Sequence, residues 1–398
     1  MITKLHNIQE KEAKNKRIIM RVDLNVPMSE GRIKDNTRIK EIIPSLKELL
    51  DFNAAIIIIS HMGRPRGEKN LKLSLSPIAV ELSRLINKDV HFIDHIPDSN
   101  SHYTKDSFDL GSIYLLENLR FYPGEANNDD NFIQNLSKMG DIYVNDAFSV
   151  SHRSHASTIG IANKLPSYAG QNMLKELHML ESLLENPKKP MAAIIGGSKI
   201  STKIQILENL IEKVDKIIIG GAMANTFLIA QGYDIKNSLH EPEKIKIAQY
   251  ILSKAKKWEC KIILPVDAQI SKTLNHNVPT KNVLLSEIPK DYMILDLGQK
   301  STNIIINELE NIKTLIWNGP MGAFEFSPFE KSTIEVAHSI SKLTKSNKMI
   351  SVAGGGDTIA ALNMAGVIKD LTYVSTAGGA FLEWLEGKTL PGIKVLLK

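Results

Sequence analysis

The chain of 398 residues has an ordinary globular composition, with 43% hydrophobic residues, 23% charged residues and a net charge of +5. This length exceeds what one hydrophobic core usually supports, so two domains are expected. The apolar run Ala54–Ile59 is far too short to cross a bilayer, which argues against a membrane protein. A positive charge this small and diffuse argues against nucleic acid as a partner.

Cysteine usage and the N-terminal segment bear on the location of the protein. The single cysteine, Cys260, excludes an intrachain disulfide and fits a reducing compartment. The segment Met1–Arg17 is charged and lacks the apolar core of a signal peptide. We therefore expect a cytoplasmic protein.

The arginines are unevenly distributed along the chain. Lysine and arginine together number 49, but only nine are arginine, and all nine lie between Arg17 and Arg153. Arginine offers a planar fork that binds carboxylate or phosphate bidentately, which lysine does not. This distribution favours an oxyanion site in the N-terminal half. The alternatives are structural ion pairs or an accident of composition.

Apolar, β-branched segments alternate with segments of helical period throughout the chain. The predicted strands of the first half are Arg17–Val26, Ala54–Ser60, Ile113–Glu117 and Asp141–Asn145. Those of the second half are Met191–Ile195, Lys216–Ile219, Lys261–Pro265, Met293–Asp296, Thr314–Trp317, Met349–Val352 and Thr372–Ser375. Continuous apolar strands between helices predict parallel sheets covered on both faces, an α/β fold.

Helix starts and stops divide the chain. Ser-Pro pairs at Ser76 and Ser327 predict helix starts. The segment Gln171–Asn186 has leucine and methionine at helical spacing, and Pro187 and Pro190 follow it. We interpret this helix as the boundary between the two domains.

Polar or basic side chains follow each of the four predicted strands of the first half. Ligands of open parallel sheets bind at the carboxyl ends of the strands. The basic residues there, or close by, are Arg38, His61, Arg64, Arg120, His152, Arg153 and His155. They form an electropositive cluster suited to a small, multiply charged anion. Alternatively, Arg21 or Arg38 pairs with Asp23 or Asp35, and His152 with His155 forms a metal pair that lacks a third ligand.

Glycines end several strands of the second half. In Met349–Asn363 an apolar run leads into Gly354-Gly355-Gly356, then Asp357 and a helix-like segment. Glycines before a helix N-terminus make an anion site, and a neighbouring aspartate suits Mg²⁺. A tight connection without a ligand is the alternative.

Two lysines, Lys199 and Lys203, follow another glycine turn, Gly196-Gly197. Their spacing of four predicts one helix face, where two ammonium groups repel each other unless an anion lies between them. A solvated lysine pair is the alternative in so lysine-rich a chain. The P-loop pattern is not matched at this turn.

Seven motifs together resemble the phosphoglycerate kinase family over the whole chain. They are Arg-Val-Asp-Leu-Asn-Val-Pro, Ser-His-Met-Gly-Arg-Pro, Leu-Leu-Glu-Asn-Leu-Arg-Phe, His-Arg-Ser-His-Ala-Ser, Gly-Gly-Ser-Lys, Asn-Gly-Pro-Met-Gly-Ala-Phe-Glu and Gly-Gly-Gly-Asp-Thr. The resemblance implies two doubly wound parallel-sheet domains joined by a hinge helix. The implied bounds are 1–170 for a phosphoglycerate-binding domain, 171–187 for the hinge and 188–386 for a nucleotide-binding domain, with the tail 387–398 packing back on the first domain.

The resemblance also implies the reaction and its residues. The acyl phosphate of 1,3-bisphosphoglycerate passes to MgADP, giving 3-phosphoglycerate and ATP. Substrate would be held by Asp23, Asn25, Arg38, His61, Arg64, Arg120 and Arg153. Nucleotide would be held by Lys203, Asn318, Glu325, Gly354, Gly355, Gly356, Asp357 and Thr358, with Asp357 on the metal. Arg38, Lys199, Lys203, Gly355 and Gly378 would stabilise the transferring phosphoryl group, and a monomer is expected.

The chain departs from the family's usual pattern at a few positions. Ser149-Val150-Ser151 stands where the family commonly has Gly-Thr-Ala, and Ser198 stands for an alanine. Ala377 replaces a glycine and Phe381 replaces a small residue. None of these changes removes a charged group.

Two other classes of function are compared with a kinase. A nicotinamide-dependent dehydrogenase needs a Gly-x-Gly-x-x-Gly turn, whose spacing Gly354–Thr358 does not match. A non-catalytic polyanion-binding protein would explain the arginines but not the glycine turns. For the kinase, we expect the two domains to close about the helix so that the phosphate can cross.

Overall fold

The computed structural model describes residues 5–97, 103–184 and 187–397. The chain divides into two compact units. The first contains the chain up to Leu180 together with the segment from Thr389 onward, and the second contains Glu181–Lys388. Among the described residues, no helix is both long enough and apolar enough to span a membrane.

The first unit is built around a parallel sheet. Its strands are β1 (Arg17–Arg21), β2 (Met28–Ser29), β3 (Arg32–Ile33), β4 (Ala55–Ile59), β5 (Val90–Ile93), β6 (Ile113–Leu116), β7 (Ile142–Asn145) and β8 (Ser167–Ala169). The sheet order is β5-β6-β4-β1-β7-β8, while β2 and β3 pair separately as an antiparallel hairpin. Its helices are α1 (Glu10–Ala13), α2 (Thr37–Glu41), α3 (Ile43–Asp51), α4 (Ser76–Ile86), α5 (Pro123–Asn127), α6 (Asp130–Ser137) and α7 (Gln171–Leu184).

The second unit repeats this architecture and adds a small antiparallel sheet. Its strands are β9 (Met191–Ile195), β10 (Lys216–Ile219), β11 (Lys261–Ile263), β12 (Asp267–Ser271), β13 (Lys281–Leu284), β14 (Met293–Leu297), β15 (Thr314–Asn318), β16 (Ile350–Gly354) and β17 (Tyr373–Ser375). The parallel order is β11-β10-β9-β15-β16-β17, and the antiparallel order is β13-β12-β14. Its helices are α8 (Ile204–Ile211), α9 (Ala222–Ala230), α10 (Ile245–Lys257), α11 (Gln299–Leu309), α12 (Lys331–Lys345), α13 (Gly356–Met364) and α14 (Gly379–Leu385), and α15 (Pro391–Lys394) follows in the tail of the first unit.

The two parallel sheets confirm the predicted α/β class. All five residues of β4, β9 and β15 are buried, as expected for strands covered on both faces. In the first unit the adjacent strands β6, β4, β1 and β7 all run parallel. Their carboxyl ends therefore meet at one edge, where the polar segments predicted from the sequence emerge.

The structure corrects several predicted elements. The strand predicted at Arg17–Val26 ends at Arg21, and Met293–Leu297 lies in the antiparallel sheet and not in a parallel one. The Ser327-Pro328 pair does not start a helix, because Phe329 turns back onto Phe326 and α12 begins only at Lys331. The predicted helix Gln171–Asn186 is observed as Gln171–Leu184, and its last two predicted residues lie outside the described ones.

Candidate active site

Three of the predicted arginines lie around one cleft of the first unit. Arg64, Arg120 and Arg153 line a cavity of about 430 Å³ together with His155, which the sequence analysis placed in the same cluster, and Arg66, which it did not. The pKa of Arg120 is lowered to about 10, mainly by burial and then by Arg21 and Arg153. Like charges gathered in this way are stabilised by a bound anion.

Arg38 is held at the end of β1 by the loop that follows the strand. Its Nη1 donates to Asp23 Oδ2 at 2.7 Å and to the backbone oxygen of Asn25 at 3.0 Å. The ion pair of Arg38 with Asp23, one of the alternatives in the sequence analysis, is therefore present. It stays accessible, since the Arg38 and Asp23 side chains are 24% and 14% exposed.

His61 is a neutral hydrogen-bond donor, because a buried arginine fixes its tautomer. Its Nδ1 lies 3.0 Å from Nη2 of Arg21, and arginine donates only, so Nδ1 accepts and the proton lies on Nε2. Burial, and then the charges of Arg21 and Arg120, lower the pKa of His61 well below 6.5. Gly63 extends the same loop and donates its N–H to Oδ1 of Asn25 at 2.9 Å.

Arg21 and Glu125 form a buried polar support behind the cleft. Arg21 Nε donates to Ser157 Oγ at 3.0 Å, and that hydroxyl donates to Glu125 Oε1 at 2.6 Å. Burial opposes ionisation of Glu125, but the hydrogen bond of His155 and the charge of Arg21 outweigh it and lower its pKa. Arg21 thus does not pair with Asp23 or Asp35, and the sequence had no local signal for its partners.

In the second unit, a polar chain joins Lys203 to the glycine turn. Lys203 Nζ donates to Asn318 Oδ1, and Asn318 Nδ2 donates to the backbone oxygen of Gly354 at 2.6 Å. Burial lowers the pKa of Lys203, while the nearby charges of Asp357 and Glu386 raise it. These contacts place the ammonium group beside the N-terminus of α13.

Thr358 has a structural role in the same turn. Its buried Oγ1 accepts from the N–H of Gly319 at 2.7 Å and donates to the backbone oxygen of Gly354 at 3.0 Å. It therefore joins the ends of β15 and β16. Glu325 and Asp357 are exposed, as side chains that reach a ligand would be.

The glycines at the strand ends fall into two groups. A Cβ on Gly196 or Gly319 would overlap the backbone of the other turn, and one on Gly354 would overlap the ring of Phe381. These glycines allow close packing. In contrast, a Cβ on Gly356 or Gly378 would meet open space, and Gly355 and Gly378 have positive φ at the starts of α13 and α14. This open backbone surface suits phosphate.

Lys199 and Lys203 do not share a face of one regular helix. A separate turn, Ile200–Thr202, lies between them, and α8 begins after Lys203. Glu241 holds this turn, since it accepts from the N–H of Ser201 at 2.9 Å and from its hydroxyl at 2.6 Å. Lys199 is exposed, whereas Lys203 is half-buried.

The residues present fit Mg²⁺ bound mainly through a phosphate ligand. Asp357 offers an exposed carboxylate near Lys203, where its charge partly offsets the burial that lowers the pKa of that lysine. Among residues 5–97, 103–184 and 187–397, no three His, Cys, Asp or Glu side chains gather as a metal cluster. Mg²⁺ commonly takes one or two carboxylates and completes its shell with phosphates and water.

Two parallel α/β units, one with an arginine cleft and one with a lysine beside open glycine turns, define a phosphotransferase that acts on a small anionic substrate. A family model described as Phosphoglycerate kinase matches residues 8–388. The phosphoglycerate kinase of Brucella abortus is 48% identical over 98% of this chain and 99% of its own length. That of Zymomonas mobilis is 49% identical over 97% of each chain. The solved phosphoglycerate kinase structure from Coxiella burnetii, 38% identical, has a TM-score of 0.89 over 98% of each chain.

The chain belongs to the phosphoglycerate kinase family. It reversibly transfers the acyl phosphate of 1,3-bisphosphoglycerate to ADP, giving 3-phosphoglycerate and ATP, which is a step of glycolysis. The acceptor in the reverse direction is a carboxyl group.

Proposed function

We propose that the first unit binds the phosphoglycerate through Asp23, Asn25, Arg38, His61, Arg64, Arg120 and Arg153. The observation that carries this assignment is the cleft of about 430 Å³ with Arg64, Arg120 and Arg153 on its walls. Bidentate arginines suit the phosphate and the carboxylate of such a ligand. Neutral His61 adds a donor from Nε2.

The proposed nucleotide set is Lys203, Asn318, Glu325, Gly354, Gly355, Gly356, Asp357 and Thr358. Its support is the open backbone at Gly356, beside the ammonium group of Lys203. In this proposal Gly354 and Thr358 shape the turn, and Gly355 and Gly356 offer N–H groups to phosphate. Asp357 holds Mg²⁺, which neutralises phosphate charge when it is bound.

The proposed stabilisers of the transferring phosphoryl group are Arg38, Lys199, Lys203 and the N–H groups of Gly355 and Gly378. No general base is assigned, because the acceptor carboxylate, with a pKa of about 4 or less, is already ionised at neutral pH. Catalysis then consists of positioning and charge stabilisation. Neutral His61 and cationic Arg38 are both donors, as this chemistry requires.

We further propose that residues 1–170 form the phosphoglycerate-binding domain, residues 171–187 the hinge and residues 188–386 the nucleotide-binding domain. The tail 387–398 is assigned to the first domain. Contacts of Gly392 support the tail assignment, since its N–H donates to the backbone oxygen of Ser151 at 2.8 Å. A monomer in the cytoplasm completes the proposal. The single, buried Cys260 agrees with a reducing compartment.

Calorimetric titration of three variants tests the two ligand sets. We expect Arg153→Ala to weaken binding of 3-phosphoglycerate at least about tenfold, the loss of one charge-assisted contact, and to leave MgADP binding intact. Lys203→Ala should do the reverse. Arg84→Ala, an exposed arginine paired with Glu81 on α4, is the control and should change neither affinity. Equal losses of both ligands in Arg153→Ala would contradict the assignment.

A further inference from the structure

The carboxylate of Asp23 accepts three hydrogen bonds, one of which comes from a residue outside the proposed ligand set. Oδ1 accepts the N–H of Asn25 at 3.0 Å, and Oδ2 accepts Arg38 Nη1 at 2.7 Å. The third donor is the hydroxyl of Ser149, whose Oγ lies 2.5 Å from the same Oδ2. An ionised carboxylate offers about four acceptor positions, so one remains for a ligand.

Ser149 is itself held firmly in the polypeptide. It lies in the short turn Phe148–Val150 that follows β7, between the buried side chains of Phe148 and Val150. Its backbone also hydrogen-bonds to the ring of His152. This hydrogen bond raises the pKa of that histidine, while burial lowers the pKa by more. The hydroxyl therefore reaches Asp23 from the turn that follows the neighbouring strand β7.

This hydroxyl fixes the plane of the Asp23 carboxylate. The Asn25 N–H bonds to one oxygen, and Ser149 with Arg38 bonds to the other, so the three hydrogen bonds restrict rotation of the carboxylate. Arg38 donates to the same oxygen at 2.7 Å. Without the Ser149 hydroxyl, one acceptor position of Oδ2 would be open to water, and the guanidinium of Arg38 would be held less tightly.

We infer that Ser149 is a positioning residue of the acid-binding site. It holds Asp23 so that the remaining acceptor position of the carboxylate meets the hydroxyl group of the three-carbon acid. Through the same carboxylate it keeps Arg38 aimed at the ligand. This inference rests on the proposed assignment of Asp23 and Arg38 to 3-phosphoglycerate. It adds a hydroxyl side chain, 126 positions from its partner, to the proposed acid-binding set.

Steady-state kinetics of Ser149→Ala test the inference. We expect KM for 3-phosphoglycerate to rise about tenfold, which corresponds to one hydrogen bond to a charged group in a partly exposed site, while KM for MgATP stays the same. Ser137→Ala is the matched control, because its exposed hydroxyl bonds only locally, to the backbone oxygen of Gln134 at 3.0 Å. Unchanged KM for the acid in a folded Ser149→Ala protein, or equal rises for both substrates, would overturn the inference.

A double-mutant cycle with Asp23→Ala separates a positioning role from a general structural one. If Ser149 acts through Asp23, adding Ser149→Ala to Asp23→Ala should change kcat/KM for the acid less than about twofold. A further tenfold loss would mean that Ser149 acts by another route and would overturn the inference. Arg38→Ala in the same assay separates the proposed site from the role of Ser149. Normal kinetics of Arg38→Ala would contradict the proposed site itself. Normal kinetics of Ser149→Ala together with defective kinetics of Arg38→Ala would contradict only the role of Ser149.

Discussion

Arg21 at the end of β1 and Arg38 in α2 have different roles because their partners differ. Arg21 is 1% exposed and bonds to Ser157 and His61, so it supports the cleft from behind. Arg38 bonds to Asp23 at the mouth of the site and stays partly accessible. A buried arginine bound on several sides is structural, and an accessible one beside a ligand site can follow a charge that develops during reaction.

Arg38→Ala should lower kcat far more than it weakens nucleotide binding. Removing one preorganised donor to a transferring group costs roughly 3–4 kcal/mol of barrier, a loss of about 10²–10³ in kcat. MgADP affinity, measured by calorimetry, should remain within about twofold of wild type, because no nucleotide contact is assigned to Arg38. A collapse of ADP affinity would instead place Arg38 in the nucleotide site.

Gly356→Ala distinguishes a ligand surface from a packed turn. A Cβ at Gly356 would meet open space, whereas one at Gly196 would overlap the backbone of Gly319 and Pro320. We expect Gly356→Ala to keep its unfolding free energy but to raise KM for MgATP roughly tenfold or more, since the methyl group would displace a phosphate from the helix N–H groups. Gly196→Ala, the comparison variant, should lose at least about 1–3 kcal/mol of stability. Normal nucleotide kinetics in Gly356→Ala would exclude close phosphate contact there.

Elements were predictable from sequence where strands are continuous and apolar. Met191–Ile195 and Lys216–Ile219 were predicted with the observed bounds, since isoleucine, alanine and methionine fill both faces. Two of the strands that were missed, Val90–Ile93 and Lys281–Leu284, lie at sheet edges and contain exposed residues. An edge strand needs less apolar surface, so its pattern is hard to distinguish from that of a loop.

The residues of the candidate site were also only partly predictable from the sequence. Charged residues just after apolar strands gave a local signal for Arg64, Arg120 and Arg153. Ser149 and Ser157 gave none, because their partners lie 126 and 136 residues away. Hydrogen bonds between distant segments leave no periodicity in the sequence, so neither serine could be assigned before the fold was known.

Buried aspartates fix the starts of three helices by one shared arrangement. Asp146, Asp267 and Asp296 accept N–H groups from the first turns of α7, α11 and α12 respectively. Each faces a glycine where a Cβ would overlap the carboxylate, namely Gly170, Gly298 and Gly322. Because a carboxylate at a helix N-terminus satisfies otherwise unpaired donors, these groups set where each helix begins.

Asp296 should make stability depend on pH. Burial raises its pKa to about 7 from an ordinary 3.8, so the folded state holds the proton more tightly than the unfolded state. The stability gained from that proton is present below pH 3.8 and is lost as pH rises through about 7. Relative to Asp296→Asn, wild type should therefore lose up to about 4 kcal/mol of unfolding free energy between pH 4 and 7.5. Denaturant titrations at several pH values measure this difference, and parallel curves for the two proteins would refute the raised pKa.

At the scale of the whole molecule, the chain passes between its two units twice, once within α7 and once before Thr389. Cationic side chains occur in the proposed sites of both units, with Arg38, Arg120 and Arg153 in one unit and Lys199 and Lys203 in the other. Bringing them together without ligands would oppose like charges in a space that excludes water, which is unfavourable. A phosphoryl group carried by bound substrate reverses that balance, because both sets are attracted to it.

Closure of the two units should therefore require both ligands at once. We expect the radius of gyration from small-angle scattering to fall with 3-phosphoglycerate and MgADP together, and to change little with either alone, because one ligand neutralises the cationic side chains of only one unit. At saturating concentrations of both ligands, Arg38→Ala should close less than wild type, since it lacks a group that attracts the phosphoryl from the acid-binding side, and Arg84→Ala should close as wild type does. Identical scattering curves for the unliganded and doubly liganded protein would mean that the phosphate crosses without closure. Arg38 would then have to contact the transferring phosphoryl group without any movement of the units.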